Sequence, residues 1–144
     1  MAPNLTLRVI TPDRIVLDAQ ASSVRIPGVD GSIGILPRHA HMVAAIDVGL
    51  LRYVEDGVEK AIFVSEGFAE VKNNTLRVVC EAGELPEEVD ETRAKEAEKR
   101  ARGRLVGVRQ AGEPVDLLRA ELALRRALMR QQITTGYGRQ RVRS

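Results

Sequence analysis

The sequence predicts a β + α chain: an N-terminal antiparallel β-sandwich over residues 1–84, then a C-terminal antiparallel two-helix hairpin over 85–133. Three observations carry that prediction. Short β-branched runs separated by turn residues recur as far as Val79. Beyond Pro86 the apolar residues repeat at helical spacing instead. Gly112-Glu113-Pro114 then breaks the helical stretch in two.

The first strand is expected at Leu5–Val9, where Leu5, Leu7 and Val9 alternate with Thr6 and Arg8, the period of a half-buried strand. Further strands are expected at Val24–Ile26, Ile33–Leu36, Met42–Ile46, Leu50–Val54, Ala61–Val64, Phe68–Val71 and Leu76–Val79. Between them stand Pro12-Asp13, Pro27-Gly28, Asp30-Gly31, Asp56-Gly57 and Asn73-Asn74. Asp56-Gly57 tolerates the positive φ of a tight hairpin. In the second half Asp90 is the expected N-cap of a helix over 90–105, with Ala94, Ala97, Ala101 and Leu105 forming one stripe. Gly103 and Gly107 are expected to weaken its end. A second helix is expected over 116–132, with Leu117, Ala120, Leu124, Ala127 and Leu128 on one side and Gly136 beyond it. A basic tail, 134–144, carries Arg139, Arg141 and Arg143 and is expected to lack order.

Aromatic residues make up only 3% of the chain, so the core is expected to be built from Val, Ile, Leu and Ala. A single cysteine, Cys80, excludes an internal disulfide and favours a reducing compartment. Met1–Leu5 does not have the charged-then-apolar pattern of a secretory leader, and no apolar run reaches the ~20 residues needed to cross a bilayer. A soluble, cytosolic chain is the expectation. The formal net charge is +2, but it is uneven: residues 1–82 sum to −2 and residues 83–144 to +4, with the acidic groups of the second half gathered before Lys99. Such polarity suits an anionic partner, although a solvated helical surface has the same composition.

Arg93 and Arg100, then Arg119, Arg126 and Arg130, fall at steps of seven, seven and four residues on the two expected helices. Such steps return to nearly the same helical face, so the five guanidinium groups are expected to converge across the seam. Guanidinium stays charged and donates in a planar fork, which suits a polyphosphate. Asp90 is placed to accept from an adenine amine or to orient Arg93; Val89 and Ala94 are placed to line the base, with Glu84 just upstream. No Walker-type Gly-Lys-Ser/Thr loop is present, so binding without hydrolysis is the economical form of the reading. His39 and His41 suit one side of a strand but lack an evident third metal ligand. Ser65, in Val64-Ser65-Glu66-Gly67, lacks nucleophile-elbow spacing. No catalytic constellation is found. The alternative is a basic nucleic-acid-binding module, against which stands a helical half with only Tyr137 to stack on bases.

The run Gly31-Ser32-Ile33-Gly34-Ile35-Leu36-Pro37-Arg38-His39-Ala40 resembles the epsilon subunit of the F-type ATP synthase, as do Val64-Ser65-Glu66-Gly67-Phe68-Ala69-Glu70-Val71, Val89–Lys95 and Arg119–Leu124. The resemblance is collinear over nearly the whole chain apart from the tail. It implies a sandwich that clamps the gamma subunit of the central stalk and touches the c-subunit ring. It also implies a regulatory hairpin, permissive when compact, that restrains ATP hydrolysis by meeting the catalytic beta subunits when extended. By the same resemblance the subunit is expected to perform no chemistry itself, to insert no segment into the membrane, and to sit peripherally at the cytoplasmic face of the bacterial plasma membrane. Some bacterial members bind ATP through an Ile/Leu-Asp-x-x-Arg-Ala signature, so ATP is the expected regulatory ligand here and no metal is expected. The signature reads Val89-Asp90-Glu91-Thr92-Arg93-Ala94, one methylene shorter at its first position. Glu84, Arg100, Arg119, Arg126 and Arg130 stand at the other matching positions. Arg38 and His41 stand where relatives often have Gly and Pro.

Overall fold

A computed structural model describes residues 3–111 and 114–136. The chain divides into two compact units, Met1–Pro86 and Glu87–Ser144. The first holds ten strands: β1 (Leu5–Ile10), β2 (Ile15–Ala21), β3 (Ser23–Gly28), β4 (Gly31–Ile35), β5 (Met42–Ile46), β6 (Gly49–Glu55), β7 (Val58–Val64), β8 (Gly67–Lys72), β9 (Thr75–Cys80) and β10 (Gly83–Glu84). A 3-10 turn, Pro86–Glu88, leads to α1 (Glu91–Ala111) and α2 (Pro114–Gly136).

The hydrogen-bonded order is β10-β7-β6-β3-β5-β8-β9-β1-β2, with β4 attached to β3 outside that path. Alternation decides which residues enter the core. Leu5, Leu7 and Val9 of β1, Val24 and Ile26 of β3, Leu51 and Tyr53 of β6, and Leu76, Val78 and Cys80 of β9 are all buried together. Burial of such side chains stabilises by about 1.5–3 kcal/mol each. Asp56 and Gly57 (φ 51° and 77°) close β6–β7, and Asn73 and Asn74 (φ 51° and 58°) close β8–β9. These are the paired positive φ angles that match the twist of a two-residue hairpin.

One pairing departs from an all-antiparallel sandwich. β1 runs parallel to β9, with Thr6 opposite Thr75 and Val9 opposite Val78. Asn74 fastens this junction: its carbonyl accepts the Thr6 N–H at 3.1 Å and its Nδ2 donates to the Asn4 carbonyl at 2.9 Å. Its Oδ1 accepts the Arg38 N–H at 2.9 Å. Arg38 itself sits at φ 65°, a conformation that is strained for a residue with a side chain.

β2 and the short β10 were not expected from the periodicity. A register irregularity between Val9 and Ile10 disturbs the β1–β2 pairing, and Ile15 is left facing outward. The helices are longer than expected as well. α1 continues through Gly103 and Gly107 to Ala111, and α2 begins at Pro114, where a missing N–H is harmless in a first turn. α2 also takes in Thr134–Gly136; the rest of the expected tail, 137–144, lies outside the described residues, as does the turn at Gly112-Glu113.

Candidate functional site

Asp90 starts α1 as expected of an N-cap. Its Oδ1 accepts the Arg93 N–H at 3.1 Å, and its carbonyl accepts the Ala94 N–H at 2.9 Å. The side chain thus satisfies an amide that the first turn leaves without an intrahelical partner. Its second carboxylate oxygen lies 3.8 Å from Arg93 Nε. Because the Arg93 side chain is 86% exposed, that ion pair contributes little stability, and the guanidinium remains accessible.

Ala94, Ala101 and Leu105 are the buried stripe of α1, and Ala120 and Ala127 are buried on α2. Side chains this small let two helices approach closely. Measured from these stripes at 100° per residue, Arg93 and Arg100 lie about 100–120° around α1. Arg119, Arg126 and Arg130 lie about 60–100° around α2, in the same rotational sense. In an antiparallel pair, equal senses lead to the same flank. On ideal helical phase all five arginines therefore fall toward one side of the hairpin, a side that on α2 also includes the fully buried Ile133, while Glu98, Arg102 and Gln131 fall toward the other.

Heights along the hairpin follow from one contact. Gln131 Nε2 donates to Glu98 Oε2 at 3.0 Å, which sets these residues level. At a rise of about 1.5 Å per residue, Arg100 and Arg130 then stand at nearly the same height. Arg126 is about 5 Å from that level, Arg93 about 10 Å in the opposite direction, and Arg119 about 15 Å beyond on the Arg126 side. Arg93, Arg100 and Arg119 are exposed; Arg126 and Arg130 are half-buried. The Gln131 hydrogen bond, helped by Arg102 at 3.4 Å, holds the Glu98 carboxyl below its usual range.

The remaining expected site residues are placed differently. Val89 is half-buried just before the cap. Ala94 lies on the seam stripe, where its size suits close packing of the helices. Glu84 ends β10 in the sandwich unit, opposite Phe63. His39 Nδ1 is 2.8 Å from the Ala40 carbonyl, and among the described residues no group of three or more His, Cys, Asp or Glu could hold a metal. Cys80 is buried, and desolvation pushes its thiol up to about 11, with Glu81 adding to the rise and a hydrogen bond involving Ser65 opposing it. Such a thiol is inert at neutral pH.

A second surface was not foreseen from the sequence. Register places Ala45 opposite Phe68, Phe68 opposite Val79, Val79 beside Ile10, and Ile10 opposite Ile15. These residues form an apolar stripe crossing β5, β8, β9, β1 and β2 on the outer face. Phe68 and Ile15 are 48% and 61% exposed, Ala45 is exposed, and Val79 and Ile10 are half-buried. Contiguous exposed apolar surface of this kind marks a docking face. A hint lay in Met42-Val43-Ala44-Ala45-Ile46, which is apolar at every position although its strand has only one buried face to fill.

The family described as ATP synthase, Delta/Epsilon chain, beta-sandwich domain matches residues 4–86, and the corresponding long alpha-helix domain matches residues 87–134. The ATP synthase epsilon chain of Symbiobacterium thermophilum is 49% identical over 128 residues, covering 88% of this chain and 90% of that one. The ATP synthase epsilon chain of Nitratidesulfovibrio vulgaris is 41% identical over 133 residues, covering 92% and 97%. Among solved structures, a chain of the Euglena gracilis mitochondrial ATP synthase, OSCP/F1/c-ring in rotational state 1, superposes with a TM-score of 0.73. It is 21% identical and covers 88% of this chain and 79% of its own length, a likeness of fold.

Proposed function

The chain belongs to the ATP synthase delta/epsilon chain family, as an epsilon subunit of the bacterial F type, and we propose that within that enzyme it is a non-catalytic rotor component with an ATP-sensing hairpin. The sandwich docks on the gamma subunit and the c-subunit ring, coupling proton-driven rotation to ATP synthesis. The apolar stripe through Ala45, Phe68 and Val79 supports the stalk contact. No helix among the described residues is long and apolar enough to cross a membrane, which fits a peripheral position at the cytoplasmic face.

The single observation that carries the nucleotide reading is the common flank of Arg93, Arg100, Arg119, Arg126 and Arg130. ATP lies along it with its phosphates at Arg100, Arg126 and Arg130, and its adenosine end toward Val89, Asp90 and Arg93. Arg119, farther along the flank, adds only long-range attraction, and Ala94 keeps the helices close. A ligand that needs both rows of arginines binds only the compact hairpin and so shifts the equilibrium toward it. At about a hundredfold excess over Kd it adds about 2.7 kcal/mol, enough to decide the state of a marginal two-helix unit. When ATP falls, the freed cationic hairpin extends toward the catalytic beta subunits and restrains hydrolysis.

Calorimetric titration of the purified chain with ATP tests this, alongside Arg93→Ala and Arg126→Ala. Binding by the parent that drops in both variants is expected. Undiminished binding in both removes the pocket, and silence from the parent discards nucleotide sensing while the stalk role stands. Retention on DNA with a steep salt dependence would favour the nucleic-acid reading instead.

A further inference from the structure

β4 is paired on one side only, by β3, and no other described strand bonds to its far side. In the β3–β4 hairpin Gly28 faces Gly31 across the turn, Pro27 faces Ser32, and Arg25 faces Gly34. Bonded and non-bonded pairs alternate along an antiparallel ladder. Gly28–Gly31 closes the two-residue turn as a bonded pair, so Pro27–Ser32 and Arg25–Gly34 are the non-bonded ones. Pro27, which has no N–H, fits that phase. The N–H and C=O groups of Ser32 and Gly34 consequently point away from β3, to the open edge.

Sheet edges are normally guarded by Lys, Pro, a bulge or an inward charge. β4 reads Gly-Ser-Ile-Gly-Ile and has none of these, and Ser32 and Gly34 are exposed. What lies over it is a cation. Arg25 Nη1 donates to Ser32 Oγ at 3.2 Å, and its Nη2 is 3.5 Å from where a Cβ on Gly34 would stand. The guanidinium is laid along the edge strand, within ordinary contact range of the Gly34 Cβ position. Behind it Arg52 stands directly opposite Arg25 in the β3–β6 register, with no hydrogen bond or ion pair among the described residues. Like charges in that relation destabilise a sheet unless an anion joins them. Both border an open cavity of about 440 Å³ whose lining includes Leu36, 62% exposed, and a single carboxylate, Glu59.

We propose that the free edge of β4 receives an extended acidic segment of a partner protein as an added strand. Its main chain bonds to Ser32 and Gly34, one carboxylate reaches Arg25, and the cavity takes the neighbouring side chain on the same face against Leu36 and Arg52. Main-chain pairing supplies affinity and the alternate pocket supplies selectivity, as in other strand-addition interfaces. The apolar stripe and the helical hairpin play no part in it, so it stands or falls separately from the nucleotide reading.

The test is amide NMR of the isotopically labelled full chain with a peptide of about seven residues alternating threonine or valine with glutamate, and its lysine twin. At about 1 mM the acidic peptide is expected to shift and protect the Ser32 and Gly34 amides, and the lysine twin is not. Ser32→Pro removes one outward donor while leaving the β3 ladder intact, and should weaken binding at least about tenfold. Arg25→Glu should do the same and reverse the preference toward the lysine peptide; it keeps the test decisive if Ser32→Pro fails to fold. Equal responses to the two peptides, shifts confined to other strands, no shift at all, or changes that follow protein concentration without peptide would each overturn the proposal.

Discussion

Replacing the five flank arginines one at a time by alanine should give a graded loss of ATP affinity set by height along the hairpin. Arg100 and Arg130 share a level fixed by the Glu98–Gln131 hydrogen bond, and Arg126 lies about 5 Å away. A single triphosphate can engage all three. Each charged hydrogen bond removed is worth about 1.5–3 kcal/mol, or roughly a 10- to 150-fold rise in Kd. Arg93, about 10 Å toward the cap, meets the nucleoside end, where one guanidinium contact to a less charged group is worth about 0.5–1.5 kcal/mol. Arg119, about 10 Å beyond Arg126 on α2, is out of reach of the phosphates. It should change Kd by no more than about threefold, through long-range attraction that salt screens. Titration calorimetry on the full chain, at two ionic strengths, reads this ranking. If Arg119→Ala weakens binding as much as Arg100→Ala or Arg126→Ala, the assigned heights are wrong. If the five variants are indistinguishable, the flank is only a solvated surface.

Four further outcomes follow from the packing. Gly67→Ala should lower stability by about 2–4 kcal/mol, roughly 10–20 °C in Tm, since its Cβ would stand 1.9 Å from the Val79 carbonyl oxygen; an unchanged melting curve would contradict the β8–β9 register. Asp90→Ala should cost about 1 kcal/mol of helix stability and Asp90→Asn only a few tenths, read by amide exchange in the first turn of α1. Gly103→Ala should stabilise α1 by about 0.5–1 kcal/mol, because a Cβ there meets nothing within 4 Å, with slower amide exchange as the readout. The Cys80 thiol titrates near 11 when folded and ordinarily at 9.0, so the folded state keeps its proton longer. Stability is therefore whole below about pH 9 and declines between about 9 and 11, and urea unfolding at about pH 8 and 10 should show that decline flattened in Cys80→Ala.

β1, β3, β6, β8 and β9 were legible because each keeps one parity of buried residues, as Leu5, Leu7 and Val9 do, whereas β7 was legible only as a short apolar run, buried from Ala61 through Val64. β2 stayed hidden because Ile15-Val16-Leu17 is apolar at consecutive positions and the irregularity at Val9–Ile10 spoils its phase. α1 outran its expected end because Gly103 and Gly107 are tolerated where nothing else competes for the backbone. On the hairpin, residue spacing was enough to put five arginines on a flank, since helical phase is a local property. Their heights were not readable, because these depend on where Gln131 meets Glu98, a pairing across thirty-three positions. The apolar stripe escaped for a similar reason. It takes about one residue from each of five strands, so no stretch of chain announces it.

The parallel seam between β1 and β9 has a consequence for how the polypeptide is made. β1 leaves the ribosome first and can zip to β2 at once, but its other edge waits for Thr75–Val79. At about 5–20 residues per second that interval is roughly 4–14 s, during which Thr6, Arg8 and Ile10 stand without a neighbour on that flank. Nascent chains of this sequence should consequently be most prone to clump, and most in need of a holding chaperone, when synthesis stalls just short of Asn73-Asn74.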